Sequence, residues 1–276
     1  MTADVGGWFY RDYVTAIVEP DEVDVDSIPV RFSKPTSDVD RRQLALWLPY
    51  LGGTKESVTP FLSRLSEAGF TALSFDPWRN GDRAVEATPQ IMDRVFAHFR
   101  RDMWPILGQS TLDAMHVLDW ATDKFDVGLL NVVAGGISMG GDIALALAGS
   151  DSRISRVATI VSTPDWKRPG MTRVGEPENI IEQGLPSTYG AWLYRALDPR
   201  SNTDSYSRGP AISFDLGECD THVPPTAATE FREKLRVSHP QSAGRIRIVT
   251  HSGLDHLAAA RNPKHQDSAF EWLTTQ

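Results

Sequence analysis

The chain has 276 residues, with 28 Lys and Arg against 36 Asp and Glu, a formal net charge of -8, 41% hydrophobic residues and one cysteine. The acidic balance, with no basic run longer than pairs such as Arg100-Arg101, gives no footprint for nucleic acid or anionic lipid, and a lone cysteine excludes a disulfide framework or a cysteine-cluster zinc site. The length suits one large domain with an addition, no apolar run approaches the roughly 20 residues of a bilayer span, and the start MTADVGGWFYRDY lacks the regions of a secretion signal, so a cytoplasmic protein is expected.

In chain order, Val14–Val18 and Ile28–Phe32 read as an antiparallel hairpin or an edge addition to the sheet. Leu44–Leu48 is a buried strand, and after Gly52-Gly53 a helix from about Lys55 to Ala68 stops at Gly69, a natural C-terminal cap. Thr71–Phe75 is the next strand, ending in Asp76-Pro77. The helical region from Pro89 to Phe125 is expected to break near Pro105 and Gly108, because proline removes a helix donor and glycine favours an exit. Leu129–Ala134 and Val157–Val161 follow as strands with an Ala/Leu-rich helix between them. Residues 163–208 are rich in Pro, Gly, Asn and Asp with scattered aromatics and read as an insertion. Beyond it, strands Ala211–Leu216 and Ile246–Thr250 flank a helix from Pro225 to Val237, and a helix from Pro263 to Leu273 closes the chain. Short apolar runs alternating with helices predict βαβ units in an α/β fold with a mostly parallel sheet, its core formed by residues 1–162 and 209–276 and its insertion by 163–208.

The motif that carries chemistry is Gly136-Ile137-Ser138-Met139-Gly140, a G-x-S-x-G between an apolar run and a strong helix former. In that setting a serine sits on a sharp strand-to-helix turn with its hydroxyl above the sheet, and the helix N-terminus favours negative charge developing there. A serine hydroxyl needs an imidazole to take its proton, and the imidazole needs a carboxylate to hold its tautomer. Asp220 follows one downstream strand and His256 follows the next, so the expected order is Ser138, Asp220, His256. His251, at the strand end itself, competes for the base, and Asp76, Asp165 and Glu218 compete for the acid. His98 and His116 read as helix residues, His239 and His265 as surface positions, and Cys219 as a small hydrophobe at a strand end. His222 lines the pocket rim or belongs to a solvated loop. No G-x-G-x-x-G after a strand, no phosphate-cradling G-x-x-x-x-G-K-[ST] and no H-E-x-x-H occurs, so no cofactor and no metal are expected.

Taken together, LWLPYLGGTKE, SFDPWRNGDR, GISMGG, LGECDTHVPP and SGLDH make the chain from about Leu44 to Leu273 resemble the α/β-hydrolase superfamily. Within it, the similarity is to the small bacterial serine esterases related to dienelactone hydrolase and to the prolyl-oligopeptidase catalytic domain. The resemblance implies a mostly parallel central sheet flanked by helices, with residues 163–208 as a cap over the site. It also implies an oxyanion hole from the Met139 N–H and a second donor, either the Leu51 N–H or the Tyr50 hydroxyl, since Pro49-Tyr50 stands where such enzymes usually carry His-Gly. The cap aromatics, Trp166 and Trp192 among them, form a small core of their own or an apolar roof over substrate, which Met103 and Trp104 would join. The expected activity is hydrolysis of a carboxylic ester or related acyl bond of a small molecule by a Ser-His-Asp triad. The alternative is a non-hydrolytic enzyme of the same fold, an acyltransferase, lyase or cyclase of specialised metabolism. No nucleic-acid or membrane partner is expected, and the only protein partner considered is a second copy in a homodimer.

Overall fold

The computed structural model describes residues 20–127 and 132–275. Strand β1 (Asp21–Val25) turns through Asp26 and Ser27, both at positive φ, into β2 (Ile28–Ser33). The hairpin partner of Ile28–Phe32 is therefore Asp21–Val25, while Val14–Val18 lies outside the described residues. The polar pattern of DEVDV hid that strand: as the sheet's edge it buries little beyond Val25. Strand β3 (Gln43–Leu48) leads through a one-turn 3₁₀ segment at Lys55–Val58 into α1 (Thr59–Glu67), and β4 (Phe70–Phe75) follows. Helices α2 (Thr88–Ala97) and α3 (Phe99–Phe125) precede β5 (Val132–Ile137), α4 (Met139–Ser150) and β6 (Ile154–Ile160).

Between β6 and β9 the chain forms the short pair β7 (Thr172–Arg173) and β8 (Glu176–Ile180), then α5 (Thr188–Leu197). The rest is β9 (Ala211–Gly217), α6 (Thr226–Ser238), α7 (Pro240–Ala243), β10 (Ile246–His251), α8 (His256–Ala260) and α9 (Pro263–Thr274). The eight-stranded sheet has the order β1-β2-β4-β3-β5-β6-β9-β10, antiparallel at β1, β2 and β4 and parallel from β4 to β10. This is an α/β-hydrolase fold, with β5 central and buried along its whole length.

Both faces of the sheet are covered, which is why its strands read as nearly continuous apolar runs. Phe61, Leu62 and Leu65 of α1 pack with Ala269 and Leu273 of α9 on one face, where Trp47 stacks on Phe61 at 3.8 Å. On the other face α3, α4 and α6 close the larger core. Helix α4 is buried from Met139 to Ala148, consistent with a segment that is apolar on every side except at Asp142. Among the described residues no helix is long and apolar enough to cross a membrane.

The expected break near Pro105 and Gly108 does not occur, because α3 runs through both and the interruption lies at His98 instead. Gly108 serves packing: a Cβ there would fall 2.6 Å from Leu193 of α5, so the missing side chain lets the two helices approach. Pro105 lies beside Gly190 of the same helix.

Candidate active site

The local sequence explains the Ser138 conformation. Gly136 and Gly140 bring β5 and α4 against β3: a Cβ on Gly140 would fall 2.2 Å from the Leu48 carbonyl oxygen, and one on Gly136 2.6 Å from the same atom. Ser138 occupies the turn between them at φ 52°, ψ -118°. Such a conformation costs of order 1–3 kcal/mol and persists only when its surroundings determine it. Here the Ser138 N–H donates to the Ile160 carbonyl at 2.8 Å, and its carbonyl accepts from the Asp142 N–H at 3.1 Å and from Ser162 Oγ at 2.9 Å. Met139, the first residue of α4, carries one of the amides a helix start leaves without an intrahelical acceptor.

Asp220 and His256 come from two loops tied together at the ends of β9 and β10. Glu218 N–H donates to the His251 carbonyl at 3.0 Å and Cys219 N–H to the Leu254 carbonyl at 2.9 Å. The Asp220 carboxylate uses its two oxygens differently. Oδ1 accepts the backbone N–H groups of His222 at 2.9 Å and Val223 at 2.7 Å, and Oδ2 accepts His256 Nδ1–H at 2.7 Å. Because a carboxylate only accepts, Nδ1 holds the proton and Nε2 is the basic nitrogen of His256. His256 opens α8, whose start is capped by Asp255 accepting from the Ala258 N–H at 2.8 Å.

Ser138 and His256 line one cavity of about 440 Å³, together with Tyr50, Leu51 and His222. Its far wall is the α2 face made by Pro89, Met92, Asp93 and Phe96, continued by Phe99 and Met103 of α3. Tyr50 and Leu51 sit in a turn closed by the Gly53 N–H donating to the Tyr50 carbonyl at 2.8 Å, with Gly52 at φ 80° and its N–H held by Asn80 Oδ1 at 2.8 Å.

The competing residues have other partners. His251 Nε2 meets Asp215 Oδ1 at 3.2 Å, and its ring lies 3.7 Å from that of His265. His265 is therefore fully buried rather than on the surface, and burial, with His251 beside it, lowers its pKa to about 4. Asp76 accepts the Lys55 N–H at 2.8 Å and its ammonium at 3.1 Å, Asp165 pairs with Arg200 at 2.5 Å, and Glu218 accepts from Ser252 Oγ at 2.6 Å. Cys219 is exposed rather than packed, since its loop spends its backbone bonds on the neighbouring loop.

Three aromatics expected around substrate do not line the cavity. Trp104 stacks on Tyr194 at 4.3 Å and donates Nε1–H to the Trp166 carbonyl at 2.9 Å; both tryptophans are buried in the contact between α3 and residues 163–208, the small-core arrangement. Trp192 is exposed on α5.

Sequence reasoning also missed Arg168, which lines the cavity and pairs with Asp142 of α4, both side chains almost wholly buried. Asp142 also accepts the Thr163 N–H at 2.7 Å. Burial pushes its carboxyl up to about 6, against the opposing charge of Arg168. No spacing rule joins positions 142 and 168. The α2 wall did have a signal: residues 89, 92, 93 and 96 follow the i, i+3, i+4, i+7 spacing of one helix face.

A model of the prolyl oligopeptidase family matches residues 97–276. Among solved structures, TT1662 from Thermus thermophilus has a TM-score of 0.68 at 21% identity, over 93% of this chain and 98% of that one. Thermogutta terrifontis esterase 2, phosphonylated by sarin, has a TM-score of 0.59 at 17% identity, over 95% and 97%. Est1E from Butyrivibrio proteoclasticus, with ferulic acid bound, has a TM-score of 0.62 at 17% identity, over 93% and 98%. At these identities the likeness establishes the fold. Comparison with curated proteins finds no match.

Proposed function

The chain belongs to the prolyl oligopeptidase family, and from that premise we propose that it is a serine hydrolase cleaving a carboxylic ester or related acyl bond of a small molecule. The observation that carries this reading is the 2.7 Å bond from His256 Nδ1 to Asp220 Oδ2, with His256 lining the same cavity as Ser138 in its strained turn. Ser138 Oγ attacks the carbonyl carbon while His256 Nε2 takes the hydroxyl proton, and Asp220 stabilises the imidazolium that forms. The tetrahedral oxyanion is held by the Met139 N–H and a second donor, the Leu51 N–H or the Tyr50 hydroxyl, each worth about 3–4 kcal/mol of barrier. His256 then returns the proton to the departing alcohol or amine as the bond to it breaks, leaving an acyl-Ser138. Water attacks that ester with His256 again as base, releasing the acid.

The phosphonylated esterase 2 and the ferulic-acid complex of Est1E support both the chemistry and the ester class by analogy of fold. Treatment with a fluorophosphonate tests the reading. In the wild type Ser138 Oγ should displace fluoride from the reagent's phosphorus and carry the phosphonate, and Ser138→Ala should carry none. An unlabelled wild type that is folded by thermal melting overturns it.

A further inference from the structure

A second histidine beside His256 narrows the substrate, an inference that rests on the hydrolase reading. His222 lies two residues after Asp220, and its ring is buried at 5% exposure, edge-on to Phe96 at 5.4 Å and to His256 at 4.9 Å between ring centres. Its Nδ1 lies 2.8 Å from the Thr172 carbonyl. A carbonyl can only accept, so Nδ1 carries the proton and Nε2 keeps a lone pair. The arrangement is fixed from two sides, because β7 is tied to the Asp220 loop by the Thr172 N–H donating to the Thr221 carbonyl at 3.0 Å and by the paired hydroxyls of Thr172 and Thr221 at 2.6 Å.

Nε2 has no hydrogen-bond partner among the described residues, on a side chain that lines the cavity with Ser138. An acceptor without a protein partner on a cavity wall is available to water or to a ligand. Burial first, then the neighbouring charges of His256 and Arg168, hold the His222 imidazole well below the usual histidine range, which keeps it a neutral acceptor in the working enzyme. The wall carboxylates, Asp93 and Glu176, are exposed, whereas His222 offers its lone pair from a buried ring next to His256.

We propose that His222 Nε2 accepts a hydrogen bond from the substrate, so that the preferred acyl compounds carry a hydroxyl or amide N–H within a few bonds of the scissile carbonyl. The contact is made by bound substrate before and during reaction, so it acts on KM more than on kcat.

The test uses the methyl esters of butyrate and of its three monohydroxy isomers, with propyl butyrate and its hydroxypropyl counterparts covering the leaving-group side. In the wild type at least one hydroxylated ester should exceed its parent about tenfold in kcat/KM, mainly through KM, the size of one neutral hydrogen bond. His222→Leu should bring that ratio to about one, and His222→Gln, which retains an acceptor, should keep part of it. Thermal melting checks that both variants fold; if the leucine variant does not, the glutamine variant and the wild-type series decide. A wild type with every isomer within twofold of its parent, or a folded His222→Leu that keeps the preference, overturns the inference. If the wild type takes no phosphonate, the hydrolase reading falls with it; if it is labelled and cleaves butyrate esters without preference, only the role of His222 falls.

Discussion

Replacing Asp220 by Asn tests the arrangement more sharply than removing the side chain. Two backbone N–H groups, of His222 and Val223, point at Oδ1 at 2.9 and 2.7 Å. They require an oxygen in that place, so the asparagine cannot flip and must turn its NH2 toward His256 Nδ1. That nitrogen then has to accept, the imidazole proton moves to Nε2, and in the proposed triad the base has lost the lone pair that would take the Ser138 proton. The loss expected for the wrong tautomer with geometry preserved is about 10⁴ in kcat, or about 5 kcal/mol of barrier. Stability should change by no more than about 1 kcal/mol, because both backbone bonds survive. Asp220→Ala should lose activity to a similar degree and also about 1–3 kcal/mol of stability, since it leaves those N–H groups without an acceptor. The assays are kcat and KM on a p-nitrophenyl ester, the rate of Ser138 phosphonylation, and urea unfolding. An Asp220→Asn protein within tenfold of wild type in both turnover and phosphonylation would refute the assignment of Asp220 and the tautomer argument together.

The buried Arg168–Asp142 pair makes a second prediction. Arg168→Met should cost about 3–5 kcal/mol in urea unfolding by leaving Asp142 buried without its countercharge, and adding Asp142→Asn should recover much of it; additive losses would refute the coupling. A third concerns pH and His265, whose pKa is about 4 in the folded protein against about 6.5 unfolded. Between those values the unfolded chain binds a proton that the folded chain does not, so this contribution is present above pH 6.5 and is lost as pH falls toward 4, by up to about 3 kcal/mol. Asp142 and Asp198, both pushed up to about 6 by burial, act in the opposite sense, so the measurable quantity is the difference between two proteins. Relative to wild type, His265→Phe should gain stability as pH drops from 7 to 4, and parallel urea-midpoint curves would refute it.

The parts of the site visible in the sequence are those whose physics is local. The glycines around Ser138 announce a close strand-to-helix turn, and Asp220 and His256 each follow an apolar run that ends on the same edge of a parallel sheet. The edge strand β1 was hidden because DEVDV buries only one residue well, and His265 was misplaced because its polar neighbours in sequence are not its neighbours in space. The α3 misreading has the same origin, since proline and glycine signal a break only when no second helix packs there, and α5 does.

By itself, then, the sequence determined the α/β class, the apolar strands that build the parallel part of the sheet and the turn that holds Ser138, because periodicity and glycine spacing act within a few residues. Only the tertiary structure decided which acid meets which histidine, that Arg168 pairs with Asp142, that Trp104 packs against Trp166 and Tyr194 of the insertion rather than over the cavity, and which nitrogen of His222 is left to accept. Those are contacts between residues roughly 25 to 60 positions apart, and a pairwise contact across a fold leaves no periodic trace in the chain that makes it.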